Sequence, residues 1–291
     1  MTASRGYAAD APVIVLDPGH DSLHGRGRNL ATGIVEEDYT LDIAKACKEV
    51  LEEAGFKVYL TREDGSCPAK EGTGLTDCLQ ERAVFAASVG CDLFVSIHLN
   101  AAGNNDGIPK AARGSLVFIS NYDAYTEPLT RLADMISDGL RTECGIMKRG
   151  DTGMITLSES FPGYDDGSRS NFLGVIRNSV YNGFPAILIE EAFMDNRSDA
   201  LLLSDRERIG RTNAESIIAF YDKGLGIKAV SGPAINNFAS GIVNYSFLNL
   251  RNGPESEAEL VCELSEGDQV YLYEDLSDYK HVIALHDGAY Y

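Results

Sequence analysis

Two kinds of apolar pattern alternate along the chain as far as Tyr221. Short apolar runs end at a turn or a polar residue: PVIVLDP at 12–18, FKVYLTR at 56–62, DLFVSIH at 92–98, GSLVFIS at 114–120 and PAILIEE at 185–191. Continuous runs of this length predict strands buried on both faces of a sheet. Between them lie longer segments with helical spacing. Residues 36–54 carry Leu41, Ala44, Val50, Leu51 and Ala54 near a 3.6-residue period, and Gly55 supplies the stop. Helices are also expected at 75–89, 125–142 and 198–222, with loops at 63–74 and 159–171. Strands alternating with helices predict an α/β fold: a twisted, mostly parallel sheet flanked by helices on both faces.

The pattern changes after Tyr221. Residues 224–237 are rich in Gly, Ala, Ser and Asn and read as a linker. From Phe238 the chain breaks into short β-patterned runs separated by turns, which predicts a small β-barrel. The expected organisation is a leader remnant at 1–11, a large α/β domain at 12–223, the linker at 224–237 and the barrel at 238–291.

Charge narrows the partners. The formal net charge of −19 over 291 residues disfavours nucleic acid and anionic lipid surfaces. No apolar run has the length of a membrane span. Met1–Asp10 holds no apolar core of a secretory signal, although Gly6-Tyr7-Ala8-Ala9 resembles the small-residue end of one. The six cysteines form no CxxC pair, which argues against a thiolate zinc motif or a redox motif. Cys47 and Cys91 fall within apolar patterns and are expected in the core, whereas Cys67 and Cys78 bracket a Gly-rich loop and suit a bridge in an exported protein.

In an open α/β sheet, ligands gather beyond the carboxyl ends of the strands. His20 follows the first strand, His98 ends the third, Glu190 ends the strand starting at Pro185, and Glu36 opens the first helix. Two imidazoles and a carboxylate suit a zinc ion with an open position, and a further carboxylate can move a proton. Amide hydrolysis needs these parts, because an amine leaves only when protonated. Taken singly, His20 and His98 are ordinary strand-end histidines, and Glu36 is an ordinary first-turn acid favoured by the helix dipole. Glu190 differs, because a carboxylate following PAILI in a buried strand is costly unless paired or functional. Its neighbour Glu191 is the rival, but strand alternation points the two to opposite faces. No HExxH, GxSxG, P-loop or GxGxxG pattern is present, and His24, His281 and His286 read as incidental.

On these residues the chain resembles the zinc-dependent N-acetylmuramoyl-L-alanine amidases of the AmiC and CwlV kind, amidase type 3. VIVLDPGH matches its opening D-x-G-H, VEEDYTLDIA its helix-opening Glu, GFKVYLTRED its G-x-x-V-x-x-T-R, ERAVFAA loosely its R-x-x-x-A, SIHLNAA its S-I-H-x-N-A, and PAILIEEAFMDN its P-x-x-L-x-E-x-x-F-x-x-N. The resemblance covers about residues 12–222. It implies one catalytic Zn2+ on His20, Glu36 (rather than Glu37) and His98, with Glu190 as the catalytic acid–base. The implied substrate is the amide between N-acetylmuramic acid and L-alanine in peptidoglycan. The segments GNNDGIPKAARG and ESFPGYDDGSRS are longer than the simplest family pattern, which leaves stem-peptide preference open. The tail, YSFLNLRNGPESEAELVCELSEGDQVYLYED, is similar to bacterial SH3 domains that bind wall peptides, with the usual final strand expected to be missing after DGAYY. These resemblances imply a secreted or cell-wall enzyme, with a phage endolysin as another route. The competing readings are another zinc amidohydrolase or carboxypeptidase of similar architecture, and a non-catalytic wall-binding protein.

Overall fold

The computed structural model describes residues 11–68, 74–149, 164, 168–227, 239–251, 258, 260–276, 279–286 and 289–290. The expected leader lies outside them except for Ala11, as do most of the 159–171 loop and residues 228–237 of the linker.

The order of elements is β1 (Val13–Pro18), α1 (Glu36–Glu53), β2 (Lys57–Leu60), α2 (Leu75–Ser88), β3 (Leu93–Asn100), β4 (Leu116–Ile119), α3 (Asp123–Glu143), α4 (Gly174–Tyr181), β5 (Ala186–Phe193), α5 (Arg197–Leu202) and α6 (Arg206–Asp222). The strands form one sheet in the order β2-β1-β3-β5-β4. All neighbours are parallel except β4, which runs antiparallel to β5 at the edge.

Strand periodicity divides the core into two layers. Ile14, Leu16, Val95, Ile97, Ile187 and Ile189 pack on one face with residues of α1, α3 and α6, among them Ile43, Leu51, Ile136 and Ile217. Val15, Phe94, Ala186 and Leu188 pack on the other with Ala83 and Ala86 of α2 and Val175 and Ile176 of α4. Burial on both faces is why these strands lack the alternation of a half-exposed strand. The mostly parallel α/β sheet expected from the pattern is therefore present.

Two elements depart from the sequence expectation. The helix anticipated over 198–222 is two helices: α5 ends in a turn at Leu203–Asp205, and the Asp205 carboxylate accepts from Arg208 N to start α6. Helix α4 occupies a stretch to which the pattern assigned no element. At eight residues, it takes its stability from packing on β5 and α2 rather than from its own propensity.

The C-terminal residues form β6 (Ala239–Ile242), β7 (Leu248–Arg251), β8 (Leu260–Leu264), β9 (Gln269–Leu276), β10 (Tyr279–His286) and β11 (Ala289–Tyr290). They make an antiparallel sheet in the order β11-β10-β9-β6 and a separate β7-β8 pair. Val243, Leu264 and Ala284 are buried among them. Within the terminal DGAYY segment, Ala289 and Tyr290 pair with β10. Among the described residues, no helix is long and apolar enough to cross a membrane.

Candidate metal centre

The site starts where β1 stops. After Pro18 the chain turns through Gly19 into His20, whose φ of 63° is the one left-handed non-glycine conformation among the described residues. That backbone costs about 1 kcal/mol or more outside glycine, so surrounding contacts must hold it. Two buried arginines do. Arg62 donates through Nε to Pro18 O (2.9 Å) and through Nη2 to Gly19 O (3.0 Å) and Glu37 O (2.8 Å). Arg82 donates through Nη1 to Pro18 O and through Nη2 to His20 O, both at 3.0 Å. Thr40 Oγ1 donates to Gly19 O at 2.9 Å.

Beneath the turn, Asp17 anchors Arg82. Its Oδ1 accepts from Arg82 Nη1 and Thr61 Oγ1, each at 2.6 Å, and its Oδ2 from Ser96 Oγ at 2.7 Å. Burial opposes ionisation of Asp17, but the Arg82 charge and these hydrogen bonds hold its carboxyl below the usual range. The TR and R-x-x-x-A elements of the sequence thus shape the loop that carries His20. That positioning role was visible only as pattern.

Three side chains converge above this frame. Glu36 is buried between two imidazoles: Oε2 is 3.0 Å from His20 Nε2, and Oε1 is 3.0 Å from His98 Nδ1. Leu99 N also donates to Glu36 Oε1, at 2.8 Å. The rings of His20 and His98 meet edge to face, with centroids 5.2 Å apart. One donor atom from each of the three residues lies within 4.8 Å of the other two. Burial would raise the Glu36 pKa, but hydrogen bonds and charge from both histidines pull it down to about 2. His98 moves the other way, since Glu36 outweighs the burial that disfavours its cation.

The rival Glu37 is turned elsewhere. It accepts from Ser22 Oγ at 2.6 Å and pairs with Arg26. The donor set fits a zinc ion: two imidazoles, one carboxylate held as the anion, and a fixed tautomer. His20 Nδ1 is 2.9 Å from Gly25 O, a contact that would keep a proton on Nδ1 and let Nε2 serve as the ligand atom when a zinc ion takes the place of the proton shared with Glu36.

Glycine at position 19 is a packing requirement of this cluster. A Cβ there would sit 2.4 Å from His98 Cε1 and 2.5 Å from His98 Nε2. Gly19→Ala is therefore expected to displace the His98 ring and weaken zinc binding about 10–100-fold, as loss of a ligand-orienting contact does. Competition with a chromophoric chelator measures it, and unchanged affinity would contradict the contact.

Glu190 is the register partner of His98 across the parallel β3–β5 pair, so their side chains stand on the same face. Among the described residues, its Oε2 is buried without a hydrogen-bond partner. Burial, reinforced by the Glu36 charge and opposed by His98 and His20, pushes its pKa up to about 7. Glu191 points to the opposite face, where it is fully buried and accepts from Asn213 Nδ2 at 2.6 Å. Burial raises its pKa to about 8. Between the ordinary carboxylate value and about 8 the folded chain thus holds a proton that the unfolded chain releases, and stability falls as pH rises through that window. Glu191→Gln, which mimics the protonated acid, is expected to flatten this dependence. Urea midpoints taken between about pH 5 and pH 8 test it.

Two further outcomes concern the loops. Cys67 and Cys78 are bridged, with Cα atoms 6.3 Å apart. His24, read from the sequence as incidental, is packed instead: its Nδ1 lies 3.0 Å from Asp21 Oδ1, and its backbone N donates to the same oxygen. The signal for this was its i, i+3 spacing from an acid. The other two histidines set aside, His281 and His286, lie in β10.

A mostly parallel α/β sheet carries a two-histidine, one-carboxylate cluster that could hold a metal ion, and a buried acid, at its carboxyl edge. The family follows from comparison. Residues 14–219 match the amidase type 3 family model, N-acetylmuramoyl-L-alanine amidase, and the chain belongs to that family. It is 27% identical over 211 residues to the N-acetylmuramoyl-L-alanine amidase LytC of Bacillus subtilis, covering 72% of this chain and 35% of LytC. Among solved structures it resembles Cwp6 from Clostridium difficile (26% identity, TM-score 0.55, 74% of this chain and 30% of that one). It shares its fold with the catalytic domain of CwlV from Bacillus (Paenibacillus) polymyxa var. colistinus (22% identity, TM-score 0.54, 75% and 99%). The chain thus spans about a third of the length of the first curated relatives it matches.

Proposed function

We propose that this chain hydrolyses the amide bond between N-acetylmuramic acid and L-alanine in peptidoglycan, with a catalytic Zn2+ held by His20, Glu36 and His98. One observation carries the reading: a buried carboxylate, Glu190, has an unpartnered oxygen on the same sheet face as a preformed His–Glu–His cluster. Outside a catalytic site that oxygen is a destabilising feature. Zn2+ supplies a Lewis acid that polarises the scissile carbonyl and acidifies water.

Glu190 takes one proton from the attacking water and returns it to the alanine nitrogen as the C–N bond breaks. Its pKa of about 7 suits both roles at neutral pH. His20 side-chain exposure of 32% leaves the cluster accessible from solvent, as a polymeric substrate requires. In this reading residues 12–223 are the catalytic domain and 224–237 the linker. Residues 238–291 form an SH3-like module that binds wall peptides, supported by their short antiparallel strands. The chain acts at the cell wall, a location in keeping with similar proteins such as LytH of Staphylococcus aureus, described as a probable cell wall amidase.

Digestion of purified peptidoglycan by zinc-loaded and chelator-stripped protein tests the reading, with products identified by mass spectrometry. Stem peptides with an unblocked amino-terminal L-alanine are expected with zinc alone. Glycan or cross-link cleavage would reassign the scissile bond.

A further inference from the structure

Outside the His–Glu–His cluster, four side chains from three segments meet on the far side of the His20 loop. Asp21, His24, Cys67 and Cys78 bring one donor atom each within 4.8 Å of one another. Asp21 and Cys78 are almost wholly buried, and Cys67 is 7% exposed. His24 Nδ1 lies 3.0 Å from Asp21 Oδ1 and 3.1 Å from Oδ2, and Cys78 Sγ lies 3.4 Å from Asp21 Oδ2. Asp21 Oδ1 already accepts from the backbone N of Leu23 and of His24, each at 2.8 Å. That leaves Oδ2 turned toward the sulfur and Arg82.

We propose that these four residues form a second, structural metal site with two thiolate, one imidazole and one carboxylate ligand, which the chain fills with Zn2+ when Cys67 and Cys78 are reduced. In the oxidised chain the same position is closed by the disulfide.

The chemistry of the donor set supports this assignment. Two thiolates, an imidazole and a carboxylate are zinc donors, and a tetrahedral site with bonds of about 2.0–2.3 Å places its donor atoms roughly 3.3–3.8 Å apart. Measured from Asp21 Oδ2, His24 Nδ1 at 3.1 Å and Cys78 Sγ at 3.4 Å already stand near that spacing. Opening the S–S bond then frees the two sulfurs to separate toward that spacing, starting from donor atoms within 4.8 Å of one another.

Charge also closes. The two thiolates, Asp21 and Asp17 carry four negative charges, which Zn2+, the Arg82 guanidinium shared by both aspartates and the buried Arg62 beside them neutralise together. Without a cation, two buried thiolates beside a buried carboxylate would be strongly disfavoured. The redox step balances. A dithiol reductant gives two electrons and two protons to the Cys67–Cys78 bond and becomes a disulfide. Zn2+ then displaces those two protons as it binds the sulfurs.

The consequence is that the loop after β2 keeps a cross-link to the start of α2 in either redox state, covalent when oxidised and metal-mediated when reduced, and that the metal alone ties in the His20 loop, through Asp21 and His24. No donor is shared with His20, Glu36 or His98, so the site stands whether or not the amidase reading holds.

Cobalt titration of the full chain tests the proposal without assaying activity. Oxidised protein is expected to take up Co2+ without thiolate-to-metal absorption in the near ultraviolet, because the His20–Glu36–His98 cluster offers only nitrogen and oxygen. After reduction by a phosphine and its removal, one further equivalent binds and that absorption appears. The Cys67→Ser/Cys78→Ser variant must lack it under both conditions. His24→Ala keeps the disulfide and both thiols, and should need about tenfold or more Co2+ to reach the same absorption. Any one of three results overturns the site: no thiolate absorption in the reduced wild type, absorption that survives Cys67→Ser/Cys78→Ser and so belongs to other thiols, or His24→Ala binding like the wild type. Helical circular dichroism lost on reduction and not restored by zinc would do so as well.

Discussion

Glu190→Gln keeps its zinc and loses turnover by about 10²–10⁴-fold, the range for a positioned acid–base group. The substitution preserves shape and volume on β5. It removes only the capacity to take a proton and return it. Metal analysis of the purified variant should match the wild type, because none of the three candidate ligands contacts the altered atom through a hydrogen bond in the structure. Stability should rise slightly or stay unchanged, since Oε2 is a buried, unpartnered oxygen whose charged form burial disfavours. A variant with full activity would remove Glu190 from the reaction. A variant that lost zinc along with activity would make it a fourth ligand instead.

His98→Ala is the complementary case, in which metal and turnover disappear together. The imidazole supplies one of three donors, and its removal is expected to weaken zinc binding by more than about 100-fold, beyond the effect of losing a supporting contact. His98 is a better probe than His20. It sits in a regular strand, whereas His20 occupies a left-handed backbone position where alanine adds strain of its own. Thermal unfolding separates folding from binding. Wild type should gain stability on zinc addition, about 2.7 kcal/mol at a hundredfold excess over the dissociation constant. His98→Ala should unfold near the zinc-free wild type and gain nothing from zinc. An equal gain would move the metal elsewhere, with Asp21, His24, Cys67 and Cys78 the first place to look.

The zinc-free chain is expected to fold in either case. The frame around the site is made by Asp17, Arg62, Arg82, Thr61 and Ser96, all buried and hydrogen-bonded without a metal. The fold thus presents the donors before the ion arrives, which limits the ordering cost of binding. The left-handed His20 is held by the same network, a strained residue over-determined by its surroundings.

The amino-acid sequence determined by itself whatever depends on local periodicity. Continuous apolar runs marked β1, β3 and β5 because each is buried on both faces, and the helical period marked α1 and α3. Strand alternation alone separated Glu190 from Glu191, since adjacent residues of a strand face opposite ways. Periodicity could not divide α5 from α6, because their apolar positions stay nearly in phase across the Leu203–Asp205 turn. Nor could it show α4, a short helix sustained by its neighbours.

Tertiary structure decided the relations between distant residues. Glu36 rather than Glu37 faces the histidines because Ser22 and Arg26 hold Glu37 away, and Gly19 must lack a side chain because His98, remote in sequence, fills that space. His24 looked incidental until Cys67 and Cys78 closed around Asp21. Local sequence carries the repeat of a strand or helix. Which side chains meet across a sheet edge is set by the packing of whole elements, where burial and electrostatics act between residues that no local period connects.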